Sequence, residues 1–333
     1  MTELGEHGLR RVGLGIVGLG YIGNIHLRHA MKLQNARVTA VADTSKRALR
    51  EASGIGVSAY SDYDDLMKNV NVDAVIIALP THLHVDCALR AAEAKKHIFI
   101  EKPIAVNVPD AKKIVKSAQK NGVSLMIGYP LRFDPLFTSV KRQIESGELG
   151  DVETAFASYI SSGPFFHRAT GYAPVPVPEW WFDPRASGGG VLMDLGCHLI
   201  NLLRWYFGEI TDVKSSLRHR FNLELEDSAV CLASFGKRTK AVLNVGWFSQ
   251  QYLLRVELFG SVKHVIAEHP PQNPLTTAVQ MLTTATSKFF LPHLSELQYF
   301  AQCVGRDLPP SPSGEEGVRD LEVISEAYRN AAL

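Results

Sequence analysis

Short apolar runs alternate with amphipathic stretches through roughly the first third of the chain, and this pattern predicts buried strands separated by helices. Val12 to Val17, Val38 to Ala42, Ala74 to Ala78, Ile98 to Ile100 and Ser124 to Ile127 read as strands apolar on both faces. Ile22 to Leu33, Ser45 to Ala52, His84 to Ala94 and Pro109 to Asn121 read as helices. Strand then helix, repeated, implies a parallel sheet with right-handed crossovers.

After Gly128 the rhythm changes. A helix is predicted from about Pro135 to Ser146, an aromatic and proline-rich loop from Gly163 to Pro184, and a helix carrying Asp194 and His198. Six segments then have strand length and alternation, starting with Val152 to Ile160 and continuing through Val213 to Arg220, Ser228 to Phe235, Ala241 to Phe248, Leu253 to Gly260 and Lys263 to Glu268. Helices are expected over Ser295 to Val304 and Gly314 to Ala332. The reading is an α/β domain over 1–129 followed by an α+β domain over 130–333 whose large open sheet is mostly antiparallel.

Length and charge narrow the function classes. A chain of 333 residues accommodates two cores of ordinary size. Thirty-five Lys and Arg against 34 Asp and Glu give no global positive excess for nucleic acid or an anionic membrane, so neither is expected as a partner. Cys87, Cys197, Cys231 and Cys303 form no CxxC pair, so reduced, buried thiols are expected and no metal site. Met1 to Arg11 lacks the apolar core of a secretory signal, and the expected location is the cytoplasm.

Gly18, Gly20 and Gly23 follow a predicted strand and open a predicted helix, with Tyr21 and Ile22 between them. That context assigns the motif to a dinucleotide pyrophosphate seated on a helix N-terminus. Gly18 would permit the tight turn, Gly20 the close approach of phosphate, and Gly23 the packing of helix on strand. Asp43 ends the second strand, where a carboxylate would accept from an adenosine ribose and repel a 2′-phosphate; a helix-capping role is also open to it. NAD is favoured, and NADP stays possible because Lys46 and Arg47 follow closely.

Pro80, His82 and His84 leave the third predicted strand, and Glu101, Lys102 and Pro103 leave the fourth, at the sheet edge where such folds bind ligands. The Lys102 ammonium could polarise a carbonyl or lower the pKa of a hydroxyl, although a lysine after a strand is usually solvated surface. Asp194 and His198, behind the run Gly188-Gly189-Gly190, lie four residues apart and so share a helix face. They read as a proton-handling pair.

These pieces, together with Arg132-Phe133-Asp134-Pro135, resemble in order and spacing the glucose-fructose oxidoreductase, inositol dehydrogenase and rhizopine-catabolism (Gfo/Idh/MocA) family, nearly end to end. The resemblance implies a Rossmann domain and an open-sheet domain whose outer face mediates a homo-oligomer, dimer or tetramer. It implies NAD or NADP as cofactor, with Gly18, Gly20, Tyr21, Ile22, Gly23, Asp43, Pro80, His84 and Glu101 around it. It places Lys102, Asp194 and His198 about the substrate carbon, with His198 or Lys102 taking the hydroxyl proton and Asp194 orienting substrate or imidazole. Arg132, Arg168 and Asn201 are expected toward a small-molecule substrate, with a role at the domain junction open to Arg132 and to Asn201 as a packed helix residue. Asn201 stands where many relatives are acidic, which loosens the substrate more than the reaction.

The expected function is hydride transfer between nicotinamide and a secondary alcohol or ketone of a sugar, sugar derivative or cyclitol. The aromatic loop, with His167, Arg168, Trp180 and Trp181, would shape specificity or pack between subunits. Two alternatives stand beside this reading. One is an NADP-dependent reductase of another carbonyl or imine; the other is a dinucleotide-binding sensor without turnover.

Overall fold

Every residue of Val12–Val17 (β1) is buried, as a strand covered on both faces requires. Around it the chain builds a six-stranded sheet from β2 (Ala36–Ala42), β3 (Ser58–Tyr60), β4 (Ala74–Ile77), β5 (His97–Glu101) and β6 (Leu125–Gly128). The strand order is β3-β2-β1-β4-β5-β6, parallel throughout. Helices α1 (Tyr21–Ala30), α2 (Lys46–Ser53), α3 (Tyr63–Met67), α4 (His84–Glu93) and α5 (Val108–Asn121) make the connections. Ile98, Phe99 and Ile100 of β5 are fully buried, each contributing roughly 1.5–3 kcal/mol of transfer free energy. The strand order reverses between β1 and β4, so the loops leaving their C-terminal ends part and open a crevice.

Local signals set the helix ends. Asn107 caps α5 by accepting from the Asp110 N–H at 2.9 Å, Pro109 occupies its first turn, and Gly122 closes it at φ +66°. β3 and α3 escape the sequence pattern because a three-residue strand on the sheet edge and a five-residue helix are too short to show periodicity.

The structure is a computed structural model that describes residues 11–165, 178–269 and 291–332. The chain divides into two compact units, one of residues up to Pro130 with Pro292–Val318, the other of Leu131–Leu291 with Arg319 onward. The segment Pro292–Val318, which lies within the 130–333 span read from sequence, packs with the first unit. There Pro312 accepts the Ile127 N–H at 3.0 Å and Ser313 bridges Met126, covering the free edge of β6.

The second unit contains α6 (Pro135–Glu145), β7 (Val152–Ile160), α7 (Pro184–Ser187) and α8 (Cys197–Phe207). It continues with β8 (Ile210–Arg218), β9 (Ser228–Phe235), β10 (Thr239–Gly246), β11 (Leu253–Gly260) and β12 (His264–His269). Next in the chain, α9 (Leu291–Arg306) and the start of α10 (Gly314–Arg329) belong to the first unit, while the rest of α10 and β13 (Ala331–Ala332) return to the second. The sheet order is β12-β11-β7-β10-β9-β8-β13, antiparallel except where β10 meets β7 and β13 meets β8. The expected final helix therefore stops at Arg329. The next residues leave it as a strand because Ala331 and Ala332 pair with Ser215 and Ser216 on the edge of β8.

A second correction concerns the segment bearing Asp194 and His198, which is not one regular α-helix. Leu192–Gly196 is a π-helical turn, and α8 starts only at Cys197. Among the described residues no helix is long and apolar enough to cross a membrane.

Candidate active site

In the first unit, the glycine-rich turn meets its steric demands residue by residue. Gly18 has φ +89°, and a Cβ there would stand 2.5 Å from the Ala78 oxygen. A Cβ on Gly23 would stand 1.9 Å from the Gly18 oxygen, so helix and turn can touch only with glycine present. Gly20 differs: a Cβ there meets nothing within 4 Å, and no side chain caps α1. The open space over an uncapped helix N-terminus suits a phosphate. Tyr21 is exposed and Ile22 half-buried at the start of that helix.

Asp43 braces this turn. Its Oδ2 accepts the Leu19 N–H and its Oδ1 the Ser45 N–H, both at 2.6 Å. The cap of α2 is Ser45 itself, which accepts from the Ala48 N–H at 3.3 Å. Pro80 precedes a single 3₁₀ turn that leads into α4.

His84 is buried and ties two loops together. Its Nε2 lies 2.9 Å from the Leu79 oxygen and its Nδ1 3.1 Å from the Pro103 oxygen. A neutral imidazole has one N–H, so one of these carbonyls is bonded at a time. Burial holds His84 below the ordinary histidine range, against backbone carbonyls that favour the cation. Glu101 is also buried: Oε1 lies 2.6 Å from His26 Nε2, and Oε2 accepts the Lys102 backbone N–H at 3.2 Å. Lys102 itself is half-buried.

In the second unit, Glu226 sets the start of the functional segment. Its buried carboxylate accepts the N–H groups of Gly190 at 3.1 Å and Leu192 at 2.9 Å and the Tyr328 hydroxyl at 2.8 Å. A Cβ on Gly190 would collide with the Glu226 backbone oxygen at 2.0 Å, so the glycine run admits this cap. Burial raises Glu226 above the usual carboxylate range, with these hydrogen bonds opposing. Nothing in local sequence couples position 226 to position 190; the contact depends on the segment before β9 folding back on the glycine run.

Asp194 is half-buried, whereas every other residue from Gly190 to Ile200 is buried. Its Oδ2 accepts the indole N–H of Trp247 at 3.2 Å. Trp247 is in turn flanked by Trp181, with ring centroids 6.2 Å apart, and by Gly163, where a Cβ would fall 2.2 Å from its Cγ. The aromatic loop thus reaches the carboxylate through Trp247. The His198 ring, on the first turn of α8, lies 5.8 Å from the Tyr159 ring, and Tyr159 packs edge-on to half-buried Tyr252. Trp247, Tyr159 and Glu226 carry no motif and are missed by sequence reasoning.

Arg132 and Asn201 meet each other. Arg132 Nε donates to Asn201 Oδ1, and Asn201 Nδ2 donates to Asp320 Oδ2, each at 2.7 Å. Asp320 also pairs with Arg204 inside the protein. Asn201 is 1% exposed, so its amide is committed at both ends to holding Arg132 and Asp320. His167 and Arg168 lie outside the described residues. All four cysteines are buried, and none is in a disulfide among the described residues.

A family model described as "Oxidoreductase family, NAD-binding Rossmann fold" matches residues 12–129, and the "GFO/IDH/MocA C-terminal domain" model matches residues 137–265. The chain belongs to the GFO/IDH/MocA oxidoreductase family. Its first domain is an NAD-binding Rossmann fold, and the open space at Gly20 above α1 fits the dinucleotide. The myo-inositol 2-dehydrogenase of Thermotoga maritima is 29% identical over 320 residues, 91% of this chain and 91% of that protein. The solved scyllo-inositol dehydrogenase from Lactobacillus casei with bound NAD(H) and scyllo-inositol has a TM-score of 0.78 at 22% identity, covering 97% of each chain. The WlbA dehydrogenase from Bordetella pertussis, in complex with NADH and UDP-GlcNAcA, has a TM-score of 0.83 at 23% identity, covering 97% of this chain and 96% of that one. At those identities the two structures establish the fold of this family member.

Proposed function

We propose that this GFO/IDH/MocA oxidoreductase transfers hydride between NAD and a secondary alcohol on a polyhydroxylated ring, a cyclitol, sugar or sugar derivative. The observation that carries the reading is Asp194, the half-buried carboxylate in an otherwise buried segment, oriented by Trp247 and one turn from His198. π-helical turns of this kind occur frequently at functional sites. The names of the relatives point the same way: myo-inositol, scyllo-inositol and UDP-GlcNAcA all carry secondary hydroxyls on a six-membered ring.

NAD, when bound, supplies the hydride acceptor. The chain supplies the proton chemistry. We assign Lys102, Asp194 and His198 to it, on their match to the family pattern and their side-chain types. The hydroxyl proton passes to His198 or to Lys102, the other group stabilises the developing alkoxide, and Asp194 orients substrate. Arg132, steered by Asn201, is assigned to a substrate oxygen, and the same assignment extends to Arg168. Gly18, Gly20, Tyr21, Ile22, Gly23, Asp43 and Pro80 are assigned to the dinucleotide. His84 and Glu101 act on that site from behind by fixing the loops that leave β4 and β5.

A homo-oligomer is part of the same proposal. Leu232, Val242, Phe156, Glu257 and Ile266 are neighbours in register across β9, β10, β7, β11 and β12. Of these, Leu232 is 50%, Ile266 45% and Phe156 44% exposed. So broad an apolar row on one sheet face suits a second copy of the chain.

The test is NADH formation when the purified protein and NAD are offered inositols, free hexoses and nucleotide sugars, with the ketones and NADH offered in reverse. Turnover is expected with at least one ring polyol and is abolished by Lys102→Ala or His198→Ala while NAD binding persists. NAD binding without turnover on any of these compounds in either direction would overturn the reading in favour of a sensor.

A further inference from the structure

The cluster behind Lys102 contains more ionisable groups than its charge can support. Glu101 is paired with His26 at 2.6 Å, and its other oxygen holds the Lys102 N–H. Glu296, on α9, is fully buried, and among the described residues neither of its carboxyl oxygens has a hydrogen-bond partner. Ligand atoms of His26, Glu101 and Glu296 all lie within 4.8 Å of one another. His293, one turn before Glu296, has its ring 6.1 Å from that of His26, and His29 lies one turn beyond His26 on α1.

An ionised Glu296 would add a second negative charge to a buried cluster in which Glu101 already uses His26. Desolvation disfavours such an ion, and a like charge alongside adds to the penalty. The remaining state is the neutral acid, whose O–H is a donor; a Glu101 carboxylate oxygen lies within 4.8 Å of a Glu296 one, a span closed by a side-chain rotation or by one bridging water.

We propose that Glu296 is carried as a neutral carboxylic acid that lends its proton toward Glu101, so that His26 and Glu296 together fix the carboxylate that holds Lys102 in place. The direction of titration agrees. Burial, then the Glu101 charge, pushes Glu296 well above the usual carboxylate range. Burial works to raise Glu101 as well, but the hydrogen bond and charge of His26, with the charge of Lys102, hold it below that range. Burial, reinforced by His26, pushes His293 down to about 3, so it stays neutral and offers no competing cation. A divalent cation on the same three side chains is the competing occupant; it would have to break the existing bond between His26 and Glu101.

The inference rests on Lys102 having the role proposed above, but its first test needs no substrate. Infrared difference spectra of wild type against Glu296→Gln at neutral pH should show the carbonyl band of a protonated acid, shifted in D₂O and absent from the variant. The Gln variant, a neutral group of the same size, should fold with an unchanged melting temperature. Where turnover is available, Glu296→Ala should lower kcat about ten-fold with KM little changed, the effect of one lost hydrogen bond to a charged group, and Gln should restore most of it. The proposal is overturned if no band depends on Glu296. It is overturned equally if the Gln variant fails to fold or behaves like Ala, if Ala leaves kcat at the wild-type value, or if the protein holds a stoichiometric divalent metal that Glu296→Gln releases.

Discussion

The indole N–H of Trp247 donates to Oδ2 of Asp194 across 3.2 Å, joining the end of β10 to the π turn before α8. The buried indole thereby selects one orientation of a half-buried carboxylate. Trp247→Phe keeps most of the ring but deletes the donor. We expect kcat on the ring polyol to fall by about five- to ten-fold, in line with roughly 1–1.5 kcal/mol for one such bond, with NAD affinity unchanged. Steady-state kinetics beside an NAD titration check this, and parallel losses in both would deny Trp247 a positioning role.

Gly20 and Gly23 separate ligand approach from packing. Gly20→Ala places its methyl in open space, so the melting temperature should hold while NAD affinity falls at least ten-fold. Gly23→Ala drives a methyl to within 1.9 Å of the Gly18 oxygen and should cost about 1–3 kcal/mol or more of stability. Thermal melts with calorimetric NAD titrations distinguish the two, and wild-type NAD affinity in Gly20→Ala would mean that no phosphate approaches there.

Asp43→Ala should weaken NAD more than NADP, because it removes both a ribose acceptor and a charge that repels a 2′-phosphate. The structure adds that it also releases the N–H groups of Leu19 and Ser45, so stability falls too. Equal loss for both cofactors would leave Asp43 a brace for the turn and nothing more.

Acid should destabilise the first unit early. Burial, then the charge of His26, pushes His29 down to about 4 and His293 to about 3, and burial also lowers His84 and His97. These side chains are neutral when folded but take up a proton near 6.5 when unfolded, so below that pH the unfolded state binds more protons. The stability they contribute is complete above pH 6.5 and is lost progressively as the pH falls toward 3. Urea midpoints across this range should fall from about pH 6.5 downward, before most carboxylates titrate. A flat profile down to pH 4 would contradict the burial of these histidines.

The exposed row on the second sheet should respond to charge. Leu232→Glu or Phe156→Glu leaves the buried face of the sheet untouched, so the fold should persist while the particle mass by light scattering falls. A mass unchanged by both substitutions together would place any subunit contact elsewhere.

The first domain was largely legible because its signals are local. A covered strand needs an apolar run, a phosphate-binding turn needs glycines at fixed spacing, and each sits within a few residues of what it determines. Asp43 shows where legibility ends. Its position at the end of β2 was readable, but its bonds to Leu19 and Ser45 depend on how two loops fold back. For Asn201 the sequence leaves a substrate contact and a packed helix position both open; its two bonds, to Arg132 and Asp320, span 69 and 119 residues of sequence.

By itself, the amino-acid sequence determined the order of the longer strands and helices, the site of the dinucleotide turn, the position of Lys102, Asp194 and His198 along the chain, and the family. The tertiary structure alone decided that Glu226 caps the glycine run, that Trp247 orients Asp194, that Pro292–Val318 packs with the first unit, and that Glu296 is buried beside Glu101. Each of these is a contact between distant segments, and its energy comes from desolvation and hydrogen-bond satisfaction, which residue spacing does not encode.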